Sequence, residues 1–246
     1  MIVTADDVGA SSRVNDATFD AIERGQVTSA SILATGPACA DAVQRAGHWP
    51  RCSFGAHLDL VEFAPLTDGH SLTPLLSDGR FDPGKAREAR LAPRLQTAVY
   101  REWCAQVERL QDLGLSVSHL DSHHHVHTRP GLFPVLKRLQ ARYGIRRVRI
   151  TRNLYREGAE PAPLLRIEKH IWNGALRWIY RTRTASAFTD PPTLACSSPR
   201  TRGRHPTIEV MVHPGREEAT GPAAVTTGEW LPDTIRPFEL ISHLDL

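Results

Sequence analysis

Long apolar runs are missing from this chain. Nowhere do 18 apolar residues follow one another, and no basic start leads into an apolar stretch at the N-terminus. A membrane span and a secretory leader are therefore not expected, and the expected location is the cytoplasm. Cysteine is sparse: Cys39, Cys52, Cys104 and Cys196 are scattered without a C-x-x-C pair, which reads as reduced, buried thiols and not as a disulfide framework. An excess of one charge is also lacking. Thirty Lys and Arg against 27 Asp and Glu leave a formal net charge of +3, too slight to imply nucleic acid as a partner. With 41% hydrophobic and 23% charged residues the chain is not of a disordered type. Its 246 residues suit one large domain with a sizeable core, close to the roughly 250 typical of a (β/α) barrel.

What is present alternates between two periodicities. Met1 to Ala5 is a short β-prone run that stops at Asp6-Asp7, and Val14, Ala17, Ala21 and Ile22 then recur at helical spacing up to Gly25. Strand-like runs follow at Thr28 to Thr35, Ser53 to Leu60, Val117 to Leu120, Arg147 to Thr151 and Thr207 to Val212. Between them lie helical patterns over Ala38 to Ala46, around Val99 to Leu113 before Gly114, over Leu132 to Tyr143 before Gly144, and around Leu164 to Tyr180. The Gly- and Pro-rich stretch from about 65 to 93 reads as a loop-like insertion within a single domain spanning 1–246. Strands alternating with helices predict a parallel sheet, as a barrel or a doubly wound sheet.

Polar clusters stand where the predicted strands end, which in parallel α/β architectures is the functional face. Asp6-Asp7 alone reads as a turn or helix cap; joined with histidines, it offers one carboxylate for a metal and one as a base. Five of the chain's 12 histidines fall within His119-Leu120-Asp121-Ser122-His123-His124-His125-Val126-His127. Because a strand shows every second residue on one face, His119, Asp121 and His123 are expected to point together into a barrel mouth. Imidazole and carboxylate together suit Zn²⁺ or a similar divalent ion. His57 is either a satisfied core histidine or a ligand. His213, before Pro214-Gly215, is a turn histidine or a general acid. Arg149 is a surface cation or the partner of a catalytic carboxylate.

These residues, taken in order, carry a resemblance. Ala5-Asp6-Asp7-Val8-Gly9, Asn15, Gly25-Gln26-Val27-Thr28-Ser29, Gly55-Ala56-His57-Leu58, the His-rich run and Glu209-Val210-Met211-Val212-His213-Pro214 resemble the YdjC-like carbohydrate deacetylases. That family includes chitooligosaccharide deacetylases and hopanoid-biosynthesis-associated deacetylases. The resemblance implies a (β/α) barrel of the polysaccharide-deacetylase (NodB-like) type and a hydrolase that removes acetyl from an N-acetylated sugar. It implies one divalent ion, Zn²⁺ or Mg²⁺, on Asp7, His57 and His123, with Asp6 as general base and His213 as general acid. A carboxylate beside that cation is expected to have a lowered pKa, and His127 is the next candidate for the acid. Asp121, His119, His125, His127 and Arg149 fall to supporting these groups or touching substrate.

Two departures stand out. Val8 occupies a place usually held by Phe. The chain also stops at Leu246, soon after Arg236-Pro237-Phe238-Glu239-Leu240, which resembles an Arg-x-x-Glu-Leu helix that relatives continue beyond. An incompletely closed barrel, or a homodimer whose partner covers the gap, is expected from that. Competing readings are a metal-dependent hydrolase of another amide or ester bond and a metal- or sugar-binding protein without catalysis. Binding alone requires neither Asp6 nor His213, which weighs against the latter.

Overall fold

The computed structural model describes residues 1–156, 161–216 and 238–246. β1 (Ile2–Val8) leads to α1 (Ser12–Glu23), whose N-terminus is capped by the Ser11 side chain accepting from Val14 N. β2 (Ser29–Ile32), α2 (Cys39–Ala46) and β3 (Ser53–Leu58) follow. The 65–93 stretch contains a 3₁₀ turn (Gly69–Leu75), the hairpin β4 (Leu76–Ser77) and β5 (Arg80–Phe81), and α3 (Pro83–Glu88). α4 (Pro93–Asp112) starts on a proline, where the missing N–H costs nothing, and buries Leu95, Val99, Trp103, Val107 and Leu110. β6 (Leu120–Ser122), α5 (Phe133–Tyr143), α6 (Pro163–Trp178), β7 (Ala187–Thr189), α7 (Pro191–Cys196), α8 (Pro199–Arg202) and β8 (Ile208–Val212) complete the α-helices and strands of the described residues.

Six strands form one curled parallel sheet in the order β6-β3-β2-β1-β8-β7. Segment 147–153, expected as a strand, makes only isolated parallel bridges, but it reaches both sheet edges: Leu120 to Val148 on one side, Asn153 to Phe188 on the other. Two boundaries differ from expectation. β1 runs through Asp6 and Asp7 instead of stopping before them, and the strand expected at Val117 begins only at Leu120, leaving His119 outside it. Three of the cysteines are buried free thiols as expected; Cys196 is exposed.

Parallel register puts paired residues on the same face. Thr4 pairs with Ser29 and Met211, Ser29 with Ser53, Ser31 with Gly55, and His57 with Asp121. The concave face is therefore polar: Thr4, Asp6, Ser29, Ser31, Ser53, His57, Asp121 and Glu209. The alternate residues, among them Val3, Ala5, Ala30, Ile32, Phe54, Leu58, Leu120, Ile208, Val210 and Val212, join the helices in the apolar core. The 238–246 segment lies against the N-terminal ends of the strands. Met1 N donates to Glu239 O at 2.5 Å, Ile241 N to Met1 O at 2.9 Å, and Thr28 Oγ1 to Ile241 O at 2.7 Å. His243 enters the interior, its N–H on Ser53 Oγ, its Nδ1 2.9 Å from Ser29 Oγ, and its ring stacked on His119 at 3.9 Å. Of the segment expected to be helical, Arg236 and Pro237 lie outside the described residues, and Phe238–Leu240 are not helical. Among the described residues no helix is long and apolar enough to cross a membrane.

Gly55 lies under the His119 ring, where an added Cβ would stand 2.5 Å from Nε2. Gly55→Ala is expected to cost about 1–3 kcal/mol through overpacking. Gly174→Ala, on α6 with nothing within 4 Å of the new methyl, is expected to be neutral or stabilising by up to about 1 kcal/mol. Urea denaturation of both variants checks the contrast.

Candidate metal centre

Adjacent residues of a strand face opposite ways, so Asp6 and Asp7 would ordinarily point apart. A register shift between Ala5 and Val8 breaks the alternation, and Asp7 takes a left-handed φ of 64°. Short acidic side chains tolerate that region better than most. Both carboxylates consequently reach the mouth at the C-terminal ends of the strands, in different surroundings.

Asp7 Oδ1 lies 3.2 Å from His57 Nε2 and 2.7 Å from His123 Nδ1. It is buried yet receives no well-directed hydrogen bond. Each imidazole is fixed from behind: His57 Nδ1 meets Asp121 Oδ1 at 2.8 Å, and His123 Nε2 meets Glu62 Oε2 at 3.0 Å. A carboxylate behind a histidine selects the tautomer whose other nitrogen bears the lone pair, the usual support of a metal-ligating imidazole. Asp7, His57 and His123 bring one ligand atom each within 4.8 Å of one another. The residues present therefore fit a divalent cation. Asp6, His57 and Asp121 meet the same distance test, but a guanidinium already occupies both of those carboxylates. Arg216 donates to the second oxygen of Asp7 at 3.0 Å and pairs with both oxygens of Glu62 at 3.1 and 2.8 Å.

That guanidinium is Arg149, 1% exposed. It donates to Asp6 at 2.6 and 2.7 Å, meets Asp121 at 2.8 Å and donates to Glu209 at 2.8 Å. Arg149 is thus no surface cation; it binds the Asp6 carboxylate in bidentate fashion.

Burial pushes Asp6 upward, and Arg149 and His57 offset this only in part, so its pKa is raised. Among the protein's own groups desolvation thus outweighs the neighbouring positive charge, while the lowering expected from a bound cation is a separate contribution. Asp7 is likewise pushed up by burial, but His123 and His57 hold it well below the carboxylate range. Burial lowers both site imidazoles; Asp121, Asp6 and Asp7 more than reverse that for His57, to about 10, and Asp7 and Glu62 do so for His123, to about 9. Both shifts favour the protonated imidazoles, whose protons a bound cation would displace.

The other histidines do not share one role. His119 faces the interior one step deeper than Asp121, between Ser31 and His243, so it does not join His123 at the mouth as the spacing suggested. His123 stands just past β6, in a 3₁₀ turn in which His124 and His125 both have left-handed φ. His125 lies edge-on to Phe188, and His127 shares a hydrogen bond with Ser122. Burial pushes His127 down to about 4, which removes it as an acid near neutrality. His213 follows Val212, the partner of Ala5, and so stands level with Asp6; its side chain makes no hydrogen bond or ion pair with the described residues. Glu62, Arg216 and His243 were not singled out from the sequence, and Glu209 only as the first residue of the quoted motif that ends at His213-Pro214.

A family model described as YdjC-like protein matches residues 1–240. A carbohydrate deacetylase of Geobacillus stearothermophilus is 41% identical over 153 residues, 61% of this chain and 60% of that protein. A carbohydrate deacetylase of Vibrio campbellii is 38% identical over 151 residues, 59% of this chain and 57% of its own. The chain thus spans about 60% of the length of the curated relatives it matches. In three dimensions it resembles a protein of Enterococcus faecalis V583 described as a cellobiose-phosphate cleavage protein. The TM-score is 0.74 at 22% identity, over 99% of this chain and 97% of that one, a likeness of fold.

Raised imidazole pKa values set a sign for metal binding. Below their unfolded value near 6.5 both His57 and His123 contribute stability as cations; that contribution is lost as pH rises through about 9 and about 10. A metal needs both nitrogens neutral, so Zn²⁺ binding at pH 7 is expected to release about two protons and to tighten toward pH 9–10. Calorimetry in buffers of different ionisation enthalpy reads the protons. His57→Ala and His123→Ala should each lose the ion by elemental analysis, and unchanged metal content in both would rule out this ligand set.

Proposed function

The chain belongs to the YdjC-like family, and from that premise we propose that it is a metal-dependent hydrolase removing an acetyl group from an N-acetylated sugar. In this reading residues 1–246 form one deacetylase domain on a polysaccharide-deacetylase (NodB-like) barrel. The observation that carries it is the convergence of Asp7, His57 and His123 beside a separate carboxylate, Asp6, held by Arg149. The carbohydrate-deacetylase relatives supply the substrate class.

A divalent ion on Asp7, His57 and His123 would supply Lewis acidity toward the acetyl carbonyl and acidify a water; two nitrogen ligands favour Zn²⁺ over Mg²⁺. Asp6 would serve as the general base toward such a water, holding its proton on the carboxylate. Its raised pKa makes it a stronger base than an exposed carboxylate, and the two Arg149 contacts fix its orientation. His213, just past β8 and without a side-chain partner among the described residues, donates a proton to the departing amine. Asp121 and Glu62 keep the two imidazoles in the tautomers that leave one nitrogen free. Every group comes from one chain, so the reading requires a sugar and no second subunit.

The test is acetate release from N-acetylglucosamine oligomers. Asp6→Asn is expected to lower turnover by about 10²–10⁴-fold while metal content persists. His213→Ala should slow amide cleavage by a similar factor yet spare an activated ester, whose leaving group needs no proton. Equal loss on both substrates would make His213 a binding or structural residue.

A further inference from the structure

α6 is an amphipathic helix whose second apolar face points away from the protein. Trp172, Asn173 and Leu176 are its buried side. Asn173 Oδ1 accepts from Thr151 N at 3.1 Å and Thr151 Oγ1 at 2.8 Å, and Lys169 Nζ donates to Asn153 Oδ1 and the Tyr155 hydroxyl. These bonds pin the helix to the mouth end of segment 147–153, beside a small cavity shared by Lys169, Thr151, Asn153, His125 and Arg149. On the opposite side Leu164 (77% exposed), Ile167 (57%), Ile171 (65%) and Trp178 (87%) recur at i, i+3, i+7 and i+14. At 3.6 residues per turn these fall on one line. Leu165 and Ile179 are exposed beside it. Single exposed leucines are ordinary on a soluble protein, but an ordered stripe of large apolar side chains is not.

Its flank is cationic. Arg166, His170 and Arg177 follow one edge of the stripe, and with Arg152 and Lys169 they line a groove of about 680 Å³. Glu168 is the helix's one acid. A second copy packed antiparallel on the stripe would bring Arg166 of one copy toward Arg177 of the other, a like-charge contact. An anionic lipid surface meets both features at once: aliphatic side chains enter the acyl boundary, while the arginines reach the headgroups and Trp178 lies at the interface.

We propose that the outer face of α6 is a peripheral docking surface for anionic membranes, one that seats the mouth of the curled sheet against the bilayer. At 16 residues the helix lies in the interface and does not span it. The proposal is independent of the reaction assigned to the mouth.

The experiment is co-sedimentation of the full chain with vesicles of phosphatidylcholine alone and of equal phosphatidylcholine and phosphatidylglycerol. Binding to the anionic vesicles is expected, about tenfold or more tighter than to the neutral ones, and weakened by molar salt. Ile171→Asp and Trp178→Ser should each weaken it about tenfold or more. Arg166→Glu with Arg177→Glu should remove the preference for phosphatidylglycerol. All four positions are exposed, and unchanged melting temperatures and circular dichroism establish that the variants fold. No binding to anionic vesicles overturns the proposal, as does binding indifferent to Ile171→Asp. A stable dimer in sedimentation that Ile171→Asp dissociates, without lipid binding, assigns the face to a second copy instead.

Discussion

Arg149 carries its charge into the middle of the curled sheet, where every partner is buried: Asp6 on β1, Asp121 on β6 and Glu209 on β8. Buried ion pairs of this kind rarely stabilise a protein more than well-packed apolar side chains would, because desolvation consumes most of the attraction. Removing one member is another matter, since a charge is then stranded without water. The network is thus weak as a source of stability and strong as a constraint. It requires three strands and segment 147–153 to keep one relative position, the position that also sets Asp6, Asp7 and His57 side by side. The column continues downward through Glu209, which accepts from Thr4, and through His119 stacked on His243. The chain's last described residues are thereby part of the same interior as its first strand.

That interior reverses a common pattern. Strands of parallel sheets are generally covered on both faces and read as continuous apolar runs. Here the concave face is polar, and the apolar residues are confined to the outer face beneath the helices. Ser29-Ala30-Ser31-Ile32 and Ser53-Phe54-Gly55-Ala56-His57 show the alternation plainly. Gly55 belongs to it for a steric reason, the His119 ring above it. The curl therefore encloses a hydrogen-bonded core instead of a packed apolar one, and the inner side chains depend on each other across strands.

This explains what could and could not be read beforehand. Helices announced themselves through period and punctuation, as with Val99, Trp103, Val107 and Leu110 before Gly114, and the core strands through β-branched runs. The convergence of Asp7, His57 and His123 followed from the family resemblance, since each sits in a short quoted motif, whereas spacing alone left His57 open. Glu62 and Arg216 were not legible, being partners 154 residues apart, nor was the approach of His243 to Ser29, 214 residues away. Such pairs exist only once register and curvature are fixed, and no local spacing encodes either. His119 was misjudged for a related reason. Alternation correctly put it on the face of Asp121, but the depth of the strand placed it below the mouth, against the C-terminal segment.

The backbone at Asp7 shows why depth and register decide chemistry here. With regular alternation, Asp7 would turn toward the helices and bury an unpaired charge, leaving one acid at the mouth. The irregularity between Ala5 and Val8 instead brings both acids to the same cavity and gives them opposite environments. Asp7 receives two imidazoles and is held far below the ordinary range; Asp6 is enclosed, meets a guanidinium and is pushed up. Two identical residues in succession are thus shifted in opposite directions, Asp7 held down and Asp6 pushed up, the kind of separation by which one residue type can take two roles. The left-handed conformations of Asp7, His124 and His125 cost of order 1–3 kcal/mol each. Such conformations persist only where the surroundings over-determine them, and the contacts of Asp7 with His57, His123 and Arg216 do that for the first of the three. Strain at the mouth and the buried ion network below it are two parts of one arrangement, since the network fixes the strand positions against which the strained residue is held.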